Sequence, residues 1–301
     1  MKKELFLDFI NKLDVSEKKK WNKLLDEKEY AFQVIDAIDK KYLNSKFCEE
    51  LYIAFENNLA IEKILLFIDS KFSYEQMQEI RIGFVNKLSI DDVKVFADPK
   101  YSIKQMRQIR MGFEDGLDLD KILFYAKKEY NFRQMEEIRI GFLNGLSMDQ
   151  IKLFSDSNYH FRQMYEIRLG LEAGLSLNEI NLYKNIKFTP EQMSEIRLGL
   201  EEKLSINQVT LYAKISYTWN QMYQIRLALE NGLNKDQILK MSDSYLTSDQ
   251  MKEIRLGFEY GLSIDDVKEY AKTKFKYTKM RRIRLRKMKK LDKNLVMHKE
   301  N

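Results

Sequence analysis

The chain has 301 residues, 44% hydrophobic and 33% charged, with 11 Gly, 2 Pro and one Cys. This suits a folded helical protein and leaves little material for β-turns or Pro-rich linkers; the lone Cys48 excludes an intramolecular disulfide and a cysteine-based zinc cluster. The formal charge is +6, but positions 272–301 hold 13 Lys and Arg against 2 Asp and Glu, whereas positions 1–271 hold 39 basic against 44 acidic side chains. Only the C-terminal end is strongly basic.

Two lysines open the chain, but Asp8 and Asn11 interrupt the apolar run before a secretory core could form. No stretch approaches the roughly 20 apolar residues of a membrane span. The expectation is a cytoplasmic protein with no membrane contact. Residues 1–42 carry amphipathic segments at 5–13, 21–25 and 30–38, and read as an N-terminal helical cap. Residues 43–71 read as a degenerate repeat. There Cys48 replaces a motif Met, Tyr52 an Arg and Ala54 a Gly, while Phe55 and Leu59 stay in register.

From residue 72 to 291 the pattern Gln-Met-x-x-Ile-Arg-x-Gly recurs at one fixed interval, its methionine at Met77, Met106, Met135, Met164, Met193, Met222, Met251 and Met280. An unbroken period argues that each unit packs on its neighbours, so the spacing predicts an all-α solenoid of eight 29-residue helix-turn-helix repeats. A capping box opens the first helix of a unit (Ser73 to Gln76, Ser102 to Gln105, Asn131 to Gln134, Thr189 to Gln192, Thr218 to Gln221, Thr247 to Gln250). The preceding aromatic and the motif Met form a hydrophobic staple. A second box follows at Ser147, Ser176 and Ser205, with Ser89 and Ser263 as caps in their units. Gly116, Gly145, Gly174, Gly232 and Gly261 fall where the first helix must end in a left-handed residue, a place taken by Lys87 and Lys203 in two units.

On a helical wheel Met77, Ile80, Phe84 and Leu88 cluster within about 80° as a core stripe. Ile82 and its equivalents point away from it, which predicts a first helix apolar on two sides, sandwiched between neighbours. Mid-helix glycines at 83, 112, 141, 170, 199 and 257, with Ala228 in the sixth unit, cost roughly 1 kcal/mol each relative to Ala and imply close approach of the adjacent helix. In the last unit Lys279 replaces Gln, Arg286 replaces Gly and Lys287 replaces Phe, giving a solvated end followed by a basic tail at 292–301.

Arg81, Arg110, Arg139, Arg168, Arg197, Arg226, Arg255 and Arg284 recur in all eight units. Some have a Glu four residues on, but an exposed pair of that kind contributes only about 0.3–0.5 kcal/mol, too little to fix Arg everywhere. Two readings stay open. The guanidinium forks onto loop carbonyls or neighbouring-unit carboxylates, or it forms a ladder that meets an anionic partner. Tyr165 and Tyr223 stand out at a variable first-helix site, shared with Gln78, Arg107, Glu136, Ser194, Lys252 and Arg281. The basic run Lys279, Arg281, Arg282, Arg286, Lys287, Lys289 and Lys290 completes the candidate partner-binding residues.

Catalysis finds no support in the residues. His160 sits at a helix N-cap, His298 lies in the tail, Cys48 takes a core position, and no phosphate loop, zinc-ligand spacing or nucleophile motif occurs. The expectation is no enzyme, no cofactor, no metal and no small-molecule substrate. Over residues 72–291 the unit Gln-Met-x-x-Ile-Arg-x-Gly-(Phe/Leu)-x-x-Gly-Leu resembles uncharacterised tandem-repeat proteins of Firmicutes and their mobile elements. That resemblance implies an α-helical array and carries no activity. The leading expectation is a scaffold or inhibitor that binds a protein or ribonucleoprotein complex; a mobile-element origin would make blocking a host defence complex, such as an RNA-guided nuclease, its special case. The alternative is an RNA or single-stranded DNA binder using the arginine ladder and the basic C-terminal helix. A third is an architectural spacer.

Overall fold

The computed structural model describes residues 2–28, 30–37, 45–69 and 71–297. Among them are twenty α-helices and no strand. The chain divides into two compact units, residues 1–148 and 149–301.

In the first unit α1 (Lys2–Asn11), α2 (Val15–Glu27) and α3 (Ala31–Ala37) precede long helices α4 (Ser45–Glu56), α6 (Tyr74–Val85), α8 (Ile103–Glu114) and α10 (Phe132–Leu143). These alternate with short helices α5 (Ile61–Phe67), α7 (Ile90–Phe96) and α9 (Leu119–Tyr125). Each long helix packs beside the next long helix; α7 and α9 pack beside the long helices that flank them in sequence, and α5 packs beside α6 and α3. The three leading helices lie on this arrangement through an aromatic cluster. Trp21 meets Phe6 edge-on at 5.1 Å and Tyr52 of α4 at 5.3 Å, and the Tyr30 hydroxyl donates to the Leu59 carbonyl at 3.1 Å. Residues 38–44 fall outside the described residues, which takes in Ile38 of the third amphipathic segment and the start of the degenerate repeat.

After α11 (Met148–Lys152), the second unit holds the long helices α12 (Phe161–Glu172), α14 (Pro190–Glu201), α16 (Trp219–Glu230) and α18 (Ser248–Glu259). The short helices α13 (Leu177–Tyr183), α15 (Ile206–Val209), α17 (Lys235–Met241) and α19 (Ile264–Lys268) lie between them, and α20 (Tyr277–Met297) closes the order. Successive long helices again pack side by side, α20 on α18.

Local chemistry sets the helix ends. Each capping box expected on a long helix forms, and His160 makes another on α12, its Nδ1 accepting from the Arg162 amide at 3.3 Å. Lys87 and Lys203 adopt φ of 70° and 67°, the left-handed region that glycine fills elsewhere, and Asn58 does the same at 54°. The core stripe is buried as expected, Met77 and Ile80 with at most 1% exposed.

The second apolar side is not what the sequence suggested. Ile82, Met111, Ile140, Leu169, Leu198, Leu227 and Leu256 are only half-buried, and Leu285 is exposed. The positions buried beside them are polar: Gln76, Glu79 and Arg81 in α6, and their equivalents in later helices.

The mid-helix glycines do mark a close approach, made by an aromatic side chain of the short helix that follows. A Cβ on Gly112, Gly170 or Gly199 would lie 2.0 Å from the hydroxyl of Tyr125, Tyr183 or Tyr212. Each hydroxyl reaches past its glycine to a long-helix carbonyl, as Tyr212 does to Glu195 at 3.2 Å. In the sixth unit Ala228 is paired in sequence with Met241, both fully buried, a partner with no hydroxyl to place.

Candidate interaction surfaces

The recurring arginines are built into the stacking of the long helices. Arg110 Nε donates to Glu79 of the preceding long helix at 3.0 Å, and its Nη1 to Glu114, one turn on, at 2.6 Å. Arg197 bridges Glu166 and Glu201, and Arg226 bridges Glu195 and Glu230, in the same way. Arg168 takes Glu172, and Arg284 takes Glu253 with the Met288 sulfur where other units have Glu. Arg81 lies on Glu50. Two helices offer Gln in place of Glu, so Arg139 meets Gln108 and Arg255 meets Gln224, each at 3.1 Å. Arg139, with Leu143 one turn on, instead takes Asp115; Arg255 keeps Glu259. The eight side chains are 6–11% exposed. Of the two readings left open, the geometry matches the fork onto neighbouring-unit carboxylates, so the arginines do not present an open cationic row.

Burial pushes the Glu166 and Glu195 carboxyls above their ordinary range, with Arg197 and Arg226 acting the other way. Burial also draws Arg226 down, but its two carboxylate partners outweigh that and the net shift is upward. Removing either partner would strand a charge away from water.

The acidic partners were missed in the sequence. The residue two before the motif arginine is Glu or Gln at 79, 108, 137, 166, 195, 224 and 253, and only the last unit departs, with Arg282. That restriction to acceptors was the signal.

The motif glutamine also has a second role. Gln221 Oε1 accepts from the Thr218 amide at 2.8 Å, closing the capping box, while its Nε2 donates to the Leu246 and Ser244 carbonyls of the following loop at 2.6 and 3.1 Å. Gln76, Gln105, Gln163, Gln192 and Gln250 repeat this. Of these two side chains of equal length only the amide can accept and donate at once, the ionised carboxylate being acceptor-only, which explains why Gln and never Glu occupies this place. The short-helix boxes only accept, and Asp92, Glu179 and Gln237 all serve there.

The other candidate residues separate into two exposed groups in the second unit. Tyr165 is 40% and Tyr223 36% exposed, and each ring lies under its arginine, 5.2 Å from Arg168 and 5.4 Å from Arg226. One turn earlier stand Phe161 and Trp219, the latter 44% exposed. The intervening α14 has Pro190 and Ser194 there, and α18 has Ser248 and Lys252. Bulky aromatic pairs thus alternate with small or polar ones.

The basic group lies on α20. Lys279, Arg281, Arg282, Arg286, Lys289 and Lys290 are exposed, whereas Lys287 turns inward to Asp266 and Glu269 at 2.9 and 2.7 Å. Lys287 is therefore removed from a shared basic face. Cys48 is buried, and burial pushes its thiol up to about 12. His298 lies outside the described residues. No helix among the described residues is long and apolar enough to cross a membrane. No family model, curated protein or solved structure matches the chain.

Proposed function

We propose that the chain is a non-enzymatic α-solenoid that binds a protein partner, alone or within a ribonucleoprotein complex. On this reading residues 72–276 are seven helix-pair units, 43–71 is a degenerate first unit and 1–42 caps the N-terminal end; in place of the eighth helix pair expected from the sequence, the continuous helix α20 caps the other end. The alternation of long and short helices at a constant 29-residue period supports it.

The observation that carries the protein-binding reading is the set of exposed aromatics Tyr165, Trp219 and Tyr223 on alternate long helices of the second unit, with half-buried Phe161 one turn before Tyr165. Residues four apart share a helix face, so each pair forms one apolar knob. Tyr, Trp and Phe are enriched in interface cores and supply large contact area at little entropic cost. Pro190 and Ser194 of α14, smaller side chains at the same positions, separate the two aromatic pairs. Occupying a partner's surface without chemistry is how an inhibitor of a host defence complex would act, the special case that the mobile-element resemblance adds. The alternative, arginines tracking phosphates, is weaker here because each guanidinium already lies against a carboxylate or amide.

The test is capture of partners from host lysate, with and without nuclease, by the native protein and by a variant carrying Tyr165→Ala, Trp219→Ala and Tyr223→Ala. The expected outcome is a protein partner that survives nuclease and is lost in the variant while the melting temperature holds. Loss of every partner on nuclease treatment, or full retention by the variant, overturns the reading.

A further inference from the structure

The outward side of α20 has a composition unlike the same side of any other long helix. Nine side chains of the helix as a whole are basic and only Asp292 is acidic. Met280 and Arg284 are buried toward α18, and Lys287 is held by Asp266 and Glu269. At 100° per residue, Lys279, Arg282, Arg286, Lys289, Lys290 and Lys293 fall within an arc of about 100° on the opposite side, along about 21 Å of helix. All six are exposed, and none has an ion-pair partner among the described residues. Asp292 lies off the stripe and accepts from the Tyr260 hydroxyl at 2.7 Å.

The repeat register shows what this side is elsewhere. Lys279, Arg282 and Arg286 correspond to Gln250, Glu253 and Gly257 of α18, all buried. Gln250 donates to the next loop and Glu253 receives the next arginine. In α20 both partners are replaced by cations, and Arg282 would meet an incoming arginine with like charge. Neither a further unit nor a second copy stacked in register fits this side. A solvated end needs only mixed charge; six cations in line, with no anion among them, raise the local potential instead.

We infer that this stripe is a docking site for the phosphodiester backbone of a nucleic acid, read without base specificity. An acidic protein fits less well, because the stripe contains no apolar anchor and protein interfaces have charge-depleted cores. A uniform linear polyanion needs no anchor, since release of its condensed counterions drives binding. The surface is separate from the aromatic knobs, so it stands or falls independently of the protein-binding reading.

The experiment titrates the full chain with a labelled single-stranded RNA of about 20 nucleotides, the same sequence as DNA, and polyglutamate of equal charge, at several salt concentrations. Six phosphate contacts predict a slope of log affinity against log salt of about −4 for a single strand, at about −0.7 per contact. Replacing Arg282, Arg286, Lys289 and Lys293 by Gln should flatten the slope by about 3 and weaken binding at low salt by at least about tenfold. Arg282→Lys with Arg286→Lys should keep both slope and affinity, and the unfolding transition of each variant reports its fold. Failure to bind RNA and DNA at low salt, a flat salt response, native-like binding by the folded Gln variant, or polyglutamate binding as tightly as the oligonucleotides would each overturn the assignment.

Discussion

Arg226 and Arg286 belong to the same amino-acid type and the same half of the chain, yet their surroundings are opposite. Arg226 is 9% exposed and joins Glu195 of the preceding long helix to Glu230 of its own. Arg286 stands in solvent on α20 with no anion beside it among the described residues. One recurs in every repeat unit and the other occurs once, replacing a glycine. In a repeat chain, recurrence marks what joins a unit to its neighbours, because every unit must solve the same packing problem. A ligand has no reason to impose that period, so its contacts are sought where the pattern breaks.

The contrast can be broken most forcefully at Arg226. Arg226→Ala leaves the Glu195 carboxylate buried without its partner and should cost about 3–5 kcal/mol in denaturant unfolding. Arg286→Gln should stay within about 0.5 kcal/mol of native; comparable losses for the two would erase the distinction. Gly199→Ala comes next. The added methyl meets the Tyr212 hydroxyl at 2.0 Å, so the overpacking cost of about 1–3 kcal/mol should outweigh the gain in helix propensity. Adding Tyr212→Met, the combination that Ala228 and Met241 already make, should restore the native midpoint; failure of that rescue would mean the hydroxyl is not the obstacle.

A comparable loss is expected for Gln221→Glu. The carboxylate can still accept from Thr218 but cannot donate to the Ser244 and Leu246 carbonyls, at a cost of about 1–3 kcal/mol. The same substitution at Gln237, whose side chain caps the short helix by accepting from the Asn234 amide at 2.9 Å, should change stability by less than about 0.5 kcal/mol. Equal effects at the two sites would remove the double role of the motif glutamine. The smallest structural effect is chemical. With its thiol buried and raised to about 12, Cys48 should react with iodoacetamide far more slowly in the native chain than in denaturant; equal rates would show the site open.

Much of the local structure was legible before any coordinates. Ser, Thr or Asn followed three residues on by Gln placed the long-helix starts, and Lys87 and Lys203 were correctly read in the left-handed turn position beside the glycines. Ile82 was legible only in part. Its wheel position put it off the core stripe, but the sequence could not say that Glu79 and Arg81 would be the buried residues instead. Tyr165, Tyr223 and the basic residues of the last unit were named from the sequence, but Phe161 and Trp219 one turn earlier were not, and Lys287 could not be separated from Arg286 without the turn of α20 against α19.

The amino-acid sequence by itself determined the helix pairs, their caps and their turns, because each depends on groups close together along the chain, joined by the backbone itself. The tertiary structure decided which polar side chains are internal. Gln221 meets its carbonyl partners 23 and 25 residues away, and Arg226 its carboxylate 31 residues back. Those distances close only when one helix is set at a particular height and angle against the next, and that setting is a property of packed surfaces.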